Sequence, residues 1–251
     1  MVEILYEDNH LIAVYKKTSD LAQADKTGDT PIEHEVKKYI AKKYNKPGEV
    51  FLGCIHRLDR PVSGVLLFAR TSKALARMNE MFKNRQIKKI YYAIVKENPP
   101  AEKGEITHYL KKNEEQNKSY AHDNEVKNSK KATLSYNIIG RSDRYYLLEI
   151  ELHTGRHHQI RAQLAKIGCP VKGDLKYGYN RSNEDKGISL LARKLEFIHP
   201  VKNEPVAITA HLPEGDIWNL FVDSSSIPTP PQARRSSQYY ETQTAHRRRL
   251  Q

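Results

Sequence analysis

Asp59 sits between two cations, Arg57 and Arg60, in the stretch CIHRLDRPVSGVLLFAR at residues 54–70. Pro61, Ser63 and Gly64 mark a tight, partly rigid loop. A carboxylate on a stiff loop flanked by guanidinium groups should stay ionised. It can act as a nucleophile, and the arginines can hold a phosphate chain beside it. The same residue types also make a surface ion pair in a turn. Two later stretches carry further polar groups among apolar ones. Lys89-Ile90-Tyr91-Tyr92-Ala93 places two tyrosines in an apolar run, and TGRHHQIR at 154–161 gathers Arg156, His158, Gln159 and Arg161. His153, His157, His158 and Cys169 invite a zinc reading, but the chain has two distant cysteines and no C-x-x-C pair, so no metal is expected. Residues 168–178 hold three glycines without the G-x-x-x-x-G-K-S/T pattern of a phosphate loop, so a structural turn is expected there.

HRLDRPVSG, followed by an apolar strand and then ARTSKAL, resembles the signature loop of the RluA-type pseudouridine synthases. The run from Lys89 to Ala93 resembles that family's K-x-Y-x-A strand. TGRHHQIR, continuing to GCPVKGDLKYG at 168–178, resembles its third block. Three separated blocks in the right order are far more specific than one short motif. The likeness runs from about residue 4 to residue 221. It implies isomerisation of a uridine in rRNA or tRNA without metal or redox cofactor, on a base that has left its stack. It also implies roles: Asp59 as catalytic carboxylate, Tyr91 stacked on the base or relaying a proton, and Arg161 paired with Asp59. Arg57 would help hold the flipped-out nucleotide. By residue type Arg60 and Arg156 can meet phosphate, and His158 and Gln159 shape the RNA pocket or, as is commoner for such residues, support it from behind. The chain departs from the pattern at KKTSD (16–20), where relatives often have a Lys-Pro-Ala-Gly-like run. It departs again at Val62, Gln163 and Leu191.

These residues need elements to carry them. Residues 65–69, Val-Leu-Leu-Phe-Ala, read as a strand buried on both faces. Residues 4–6 and 11–15 read as two short strands, with KKTSD as a polar loop after them. Thr30 and Pro31 should open a helix as cap and first residue, with Ile32, Val36 and Ile40 inward. Thr71 or Ser72 caps a second helix with Leu75, Met78 and Phe82 as its stripe. Residues 89–96 should form an interior strand that turns Tyr91 and Tyr92 to opposite faces, Tyr92 towards the core. Residues 111–131 alternate in charge with few apolar anchors and read as a surface loop or mobile hairpin. Ile160, Leu164 and Ile167 give a helix stopped by Gly168.

The 251 residues, 38% hydrophobic and 29% charged, are enough for a sizeable core. No apolar run approaches the roughly 20 residues that span a bilayer. The N-terminal stretch lacks a basic start followed by an apolar run, so a secretory signal is not expected. Two cysteines fit a reducing cytoplasm. A net charge of +12 favours a polyanionic partner, RNA by the resemblance, with no membrane association and a monomer expected. Residues 1–223 are expected to form one α+β pseudouridine synthase catalytic domain, a mixed, largely antiparallel sheet with flanking helices. Residues 224–251, with five arginines and one acid, are expected to be a disordered basic tail. Two rivals share these features: a non-catalytic RNA-binding or RNA-folding protein, and a nucleoside hydrolase or glycosylase, which would release free uracil.

Overall fold

The computed structural model describes residues 2–22 and 28–221, so the expected tail lies outside the described residues. Eleven strands among them join one sheet, and the middle of that sheet is set by the apolar run behind Asp59. That run is β4 (Ser63–Ala69), fully buried along its length. Val65 and Leu67 belong to one apolar cluster, while Leu66 and Phe68 belong to another on the opposite face. The period-2 alternation of a strand makes a continuous apolar run fit both. Its neighbour β2 (Leu11–Lys16) is buried in the same way and pairs with it antiparallel. β1 (Glu3–Glu7) forms the outer edge, and β3 (Gly53–Cys54) adds a short pairing to β4.

Two helices cover the two faces. α1 (Ile32–Lys43) buries Ile32, Val36 and Ile40 against Val14, Leu66 and Phe68. α2 (Ser72–Lys83) buries Ala74 and Met78 against Leu11, Val65 and Leu67. Thr71 caps α2 as its sequence predicts, accepting the Ala74 N–H at 3.1 Å. Thr30 does not cap α1: Pro31 takes the N-cap place with no side-chain bond, because the extended backbone there belongs to proline.

The second half of the sheet follows from β5 (Lys88–Val95), β6 (Lys103–Asn113), β7 (Lys118–His122), β8 (Lys130–Arg141), β9 (Tyr146–Leu152), β10 (Leu190–Ile198) and β11 (Pro205–Thr209). The strand order is β1-β2-β4-β10-β5-β9-β8-β6-β7, with β11 paired to β10. Every pairing is antiparallel except β4 with β10, so the sheet is mixed and largely antiparallel. Gly64 makes that parallel seam possible. Its φ is +118°, and a Cβ there would fall 2.3 Å from the Ala192 carbonyl oxygen. α3 (Gln159–Lys166) lays Ile160 and Leu164 on Ala93, Leu134 and Leu148. A single 3-10 turn (Leu175–Tyr177) and α4 (Asp216–Asn219) complete the described elements. Among the described residues no helix is long and apolar enough to cross a membrane.

Of the two readings for residues 111–131, surface loop or hairpin, the structure has the hairpin: β6 and β7 pair antiparallel, and β8 returns along β6. Ladder bonds and a few anchors such as Leu110 and Ala132 hold it. One loop expectation changes: KKTSD is not wholly a polar loop. Lys16 closes β2 with its side chain fully buried.

Candidate active site

The loop that carries Asp59 is held at each carbonyl. Val62 N–H donates to the Asp59 carbonyl at 3.0 Å, Ser19 N–H to Arg60 at 3.1 Å, and Ile188 N–H to Pro61 at 3.1 Å. Lys16 Nζ reaches Arg60 O at 3.0 Å, Val62 O at 2.7 Å and Lys17 O at 3.1 Å. Three ammonium protons thus meet three carbonyls. Burial lowers the Lys16 pKa to about 8, against the attraction of Asp20 and Asp59. The stiffness expected from Pro61 and Gly64 therefore depends as much on a lysine 43 positions before Asp59.

Arg161 sits in the first turns of α3 and orients the carboxylate. Its Nε and Nη2 form a fork on Asp174, at 2.7 Å to Oδ2 and 2.9 Å to Oδ1. Nη1 is then left to donate to Asp59 Oδ2 at 3.1 Å. The side chain of Arg161 is 5% exposed, that of Asp174 1%, and that of Asp59 29%. The guanidinium and Asp174 are therefore internal, while Asp59 opens to a cavity. Burial works against the Arg161 charge, but Asp174 and then Asp59 outweigh it and raise its pKa. The guanidinium also lies 5.0 Å from the centre of the Tyr177 ring.

The cavity, about 640 Å³, is lined by Asp59, Tyr91, Lys89, Arg57, Arg156 and His158 among others. A larger cleft of about 1010 Å³, around Tyr145, Tyr179 and Trp218, contains neither Asp59 nor Arg161. β5 presents Tyr91 and, two residues earlier, Lys89 to the Asp59 cavity, while Tyr92 goes to the opposite core. Burial, and secondarily the Asp59 charge, raises the Tyr91 pKa well above the ordinary phenol value. Its hydroxyl therefore stays protonated at neutral pH. Burial also lowers the Lys89 pKa, with Arg85 adding repulsion.

The remaining expected residues divide into rim and wall. Arg57 is exposed at the cavity. Arg60 is exposed and ion-pairs with Asp29 at 2.7 Å. Arg156 donates from Nε to Lys131 O, which ties the third block to β8. Gln159, expected to shape the RNA pocket or support it, lines the cavity wall with its amide engaged inside the protein. It accepts from Thr154 Oγ1 at 2.7 Å and from Arg156 N–H at 3.0 Å, and it donates to Thr133 O at 3.1 Å. It braces the loop because a buried amide must satisfy its donors and acceptors locally. His158 is likewise buried, with Nε2 3.6 Å from Asp59 Oδ2.

Three groups escaped the sequence reading: Lys16, Asp174 and Tyr177. Lys16 directly follows an apolar strand, and Asp174 and Tyr177 lie in a segment taken for a turn. An acid inside GCPVKGDLKYG, close to a block with a single expected carboxylate partner, was the available signal for Asp174.

The family described as RNA pseudouridylate synthase matches residues 10–166. A tRNA pseudouridine synthase C of Vibrio cholerae is 30% identical over 236 residues, covering 87% of this chain and 93% of that protein. An uncharacterised RNA pseudouridine synthase of Aquifex aeolicus is 30% identical over 225 residues, covering 85% of this chain and 70% of that one. Among solved structures, human RNA pseudouridylate synthase domain containing 4 superposes with a TM-score of 0.69 at 22% identity. The match covers 84% of this chain and 89% of that chain, a likeness of fold.

Proposed function

The chain belongs to the RNA pseudouridylate synthase family and is an RNA pseudouridine synthase; from that premise we propose that it modifies tRNA, with Asp59 as the catalytic carboxylate. The observation that carries the role of Asp59 is its pairing with Arg161 at the mouth of a cavity that Tyr91 also lines. The choice of tRNA rests on the Vibrio cholerae relative, named for tRNA and matched over nearly its whole length. The catalytic unit is taken as residues 1–223, acting as a cytoplasmic monomer.

The reaction rearranges one nucleotide. The bond from ribose C1′ to uracil N1 breaks, the bond from C1′ to C5 forms, and the C5 proton is lost as N1 gains one. Asp59 acts at the ribose, aimed by the Arg161 guanidinium. Tyr91 stacks on the extruded base and relays a proton from its hydroxyl. Arg57 and Arg156 meet the phosphates on either side of that nucleotide.

The test is Asp59→Asn, which keeps size and removes the charge. Pseudouridine formation in unmodified tRNA should fall by more than about 10⁴-fold. RNA binding should persist. Turnover by a sequence-verified Asp59→Asn protein would end this assignment. Free uracil from wild-type reactions would instead favour a hydrolase. Mapping pseudouridine in RNA from cells with and without the gene identifies the target, and a change confined to rRNA would overturn the choice of tRNA.

A further inference from the structure

Tyr177, in the 3-10 turn, touches two parts of the site through one hydroxyl. On one side Oη accepts the backbone N–H of Ser119, in β7, at 2.9 Å. On the other it lies 3.0 Å from His158 Nδ1. Having accepted from Ser119, the hydroxyl has its own proton to give, and Nδ1 is the acceptor beside it among the described residues. A neutral imidazole that accepts at Nδ1 carries its proton on Nε2. Nε2 faces Asp59 Oδ2 at 3.6 Å. That is longer than a hydrogen bond, yet close enough for the sign of the facing group to matter. The other tautomer would aim a lone pair at the carboxylate. The ring is held neutral: burial, then Arg161 and His157, lower its pKa to about 2. Its backbone is also constrained, with φ +52° at the N-cap of α3, a left-handed conformation rare outside glycine.

We infer that Tyr177 is a positioning residue of the reaction: it fixes the His158 tautomer so that an N–H, together with Arg161, holds Asp59 by one oxygen. Arg161 Nη1 and His158 Nε2 both approach Oδ2. Oδ1 is therefore the oxygen turned to the ribose. Because Ser119 belongs to the β6–β7 hairpin, the same hydroxyl links the seating of that hairpin to the orientation of the carboxylate. The inference rests on the reading of Asp59 as the catalytic group.

The test uses the full-length protein with ¹⁵N-labelled histidine. Ring-nitrogen shifts of His158 in the wild type should show the proton on Nε2. In Tyr177→Phe the Nδ1 partner is gone, and the tautomer populations should shift. Single-turnover rate at saturating RNA should fall about tenfold, the loss of one buried hydrogen-bond partner, with RNA affinity unchanged. A wild-type proton on Nδ1 overturns the inference. So does Tyr177→Phe with an unchanged rate, or with a slower rate and an unchanged tautomer, which marks a structural role alone. A second pair serves if Tyr177→Phe does not fold. His158→Gln, which keeps an N–H donor, should turn over faster than His158→Leu, and equal rates overturn the inference. The result for Asp59→Asn separates the two claims. An active Asp59→Asn removes the catalytic reading while the tautomer assignment stands. An inactive Asp59→Asn beside an unaffected Tyr177→Phe removes only this one.

Discussion

Arg161 divides its guanidinium between two acids, and the division predicts two different phenotypes. Asp174 takes Nε and Nη2 in a fork, while Asp59 takes Nη1 alone. Removing the Asp59 charge leaves Arg161 neutralised by Asp174, so that protein should fold and fail only in chemistry. Removing the Asp174 charge leaves a buried guanidinium with one partly exposed partner. Asp174→Asn should therefore lose about 3 kcal/mol of stability in urea unfolding. A loss under about 1 kcal/mol would show that Asp59 alone neutralises the arginine. Tyr91 allows a finer separation. Tyr91→Phe keeps the ring and deletes the hydroxyl, whereas Tyr91→Leu deletes both. If the hydroxyl relays a proton, Phe should lose about 10²–10⁴-fold in single-turnover product formation while still binding RNA. Near-normal product from Tyr91→Phe would leave only stacking, an interaction of about 1–3 kcal/mol. Asp59, Tyr91 and Arg161 were legible because three sequence blocks bring them together by family likeness. Asp174 and Tyr177 were not, since partners supplied from a turn 13 and 16 residues beyond Arg161 follow no local period.

The elements most clearly written in the sequence are those whose burial alternates. β4 is continuous because its two faces enter two cores, and α2 begins where Thr71 can cap it. Lys16 was illegible for the opposite reason. A lysine after an apolar strand normally marks the strand's exit to water, and only the tertiary fold brings three carbonyls to its ammonium. The β6–β7 hairpin was legible only as one of two readings, since edge strands carry lysines that also suit loops. Lys16→Met should lower stability by about 2–3 kcal/mol, because carbonyls of the Asp59 loop lose their donor. Hydrogen exchange should also show faster opening of that loop. Its pH dependence has a definite sign. Below pH about 8 the folded and unfolded chains both carry the proton on Lys16, and above about 8 the folded chain releases it first, the ordinary value being 10.5. The unfolded chain then binds more protons, so this group adds stability as pH rises from about 8 towards 10.5. Urea unfolding across that window should show a steeper rise for wild type than for Lys16→Met. Equal slopes would mean that the three carbonyls hold the charged form and cancel the effect of burial.

The whole chain carries 42 basic and 30 acidic residues, and the Asp59 cavity collects part of that surplus in Arg57, Lys89, Lys112 and Arg156. Phosphates that displace counterions at such a surface make affinity fall with salt, with a slope set by the number of contacts. Cations at the cavity and cations elsewhere should separate in kinetics. Those at the cavity hold the nucleotide during chemistry, whereas those far from it add encounter and affinity. Residues 224–251 provide the experiment, since deleting them removes five arginines and one glutamate and lowers formal charge from +12 to +8. The truncated protein should bind tRNA more weakly, with a shallower slope of log affinity against log salt. Its single-turnover rate at saturating tRNA should be nearly that of the full chain, because Asp59, Tyr91, Arg161 and their supports all lie before residue 222. Filter binding across a salt series, paired with saturated turnover, reads both quantities on one preparation. An unchanged salt slope would show that the tail arginines make no phosphate contacts. A folded truncation that loses saturated turnover would place the tail within the active site.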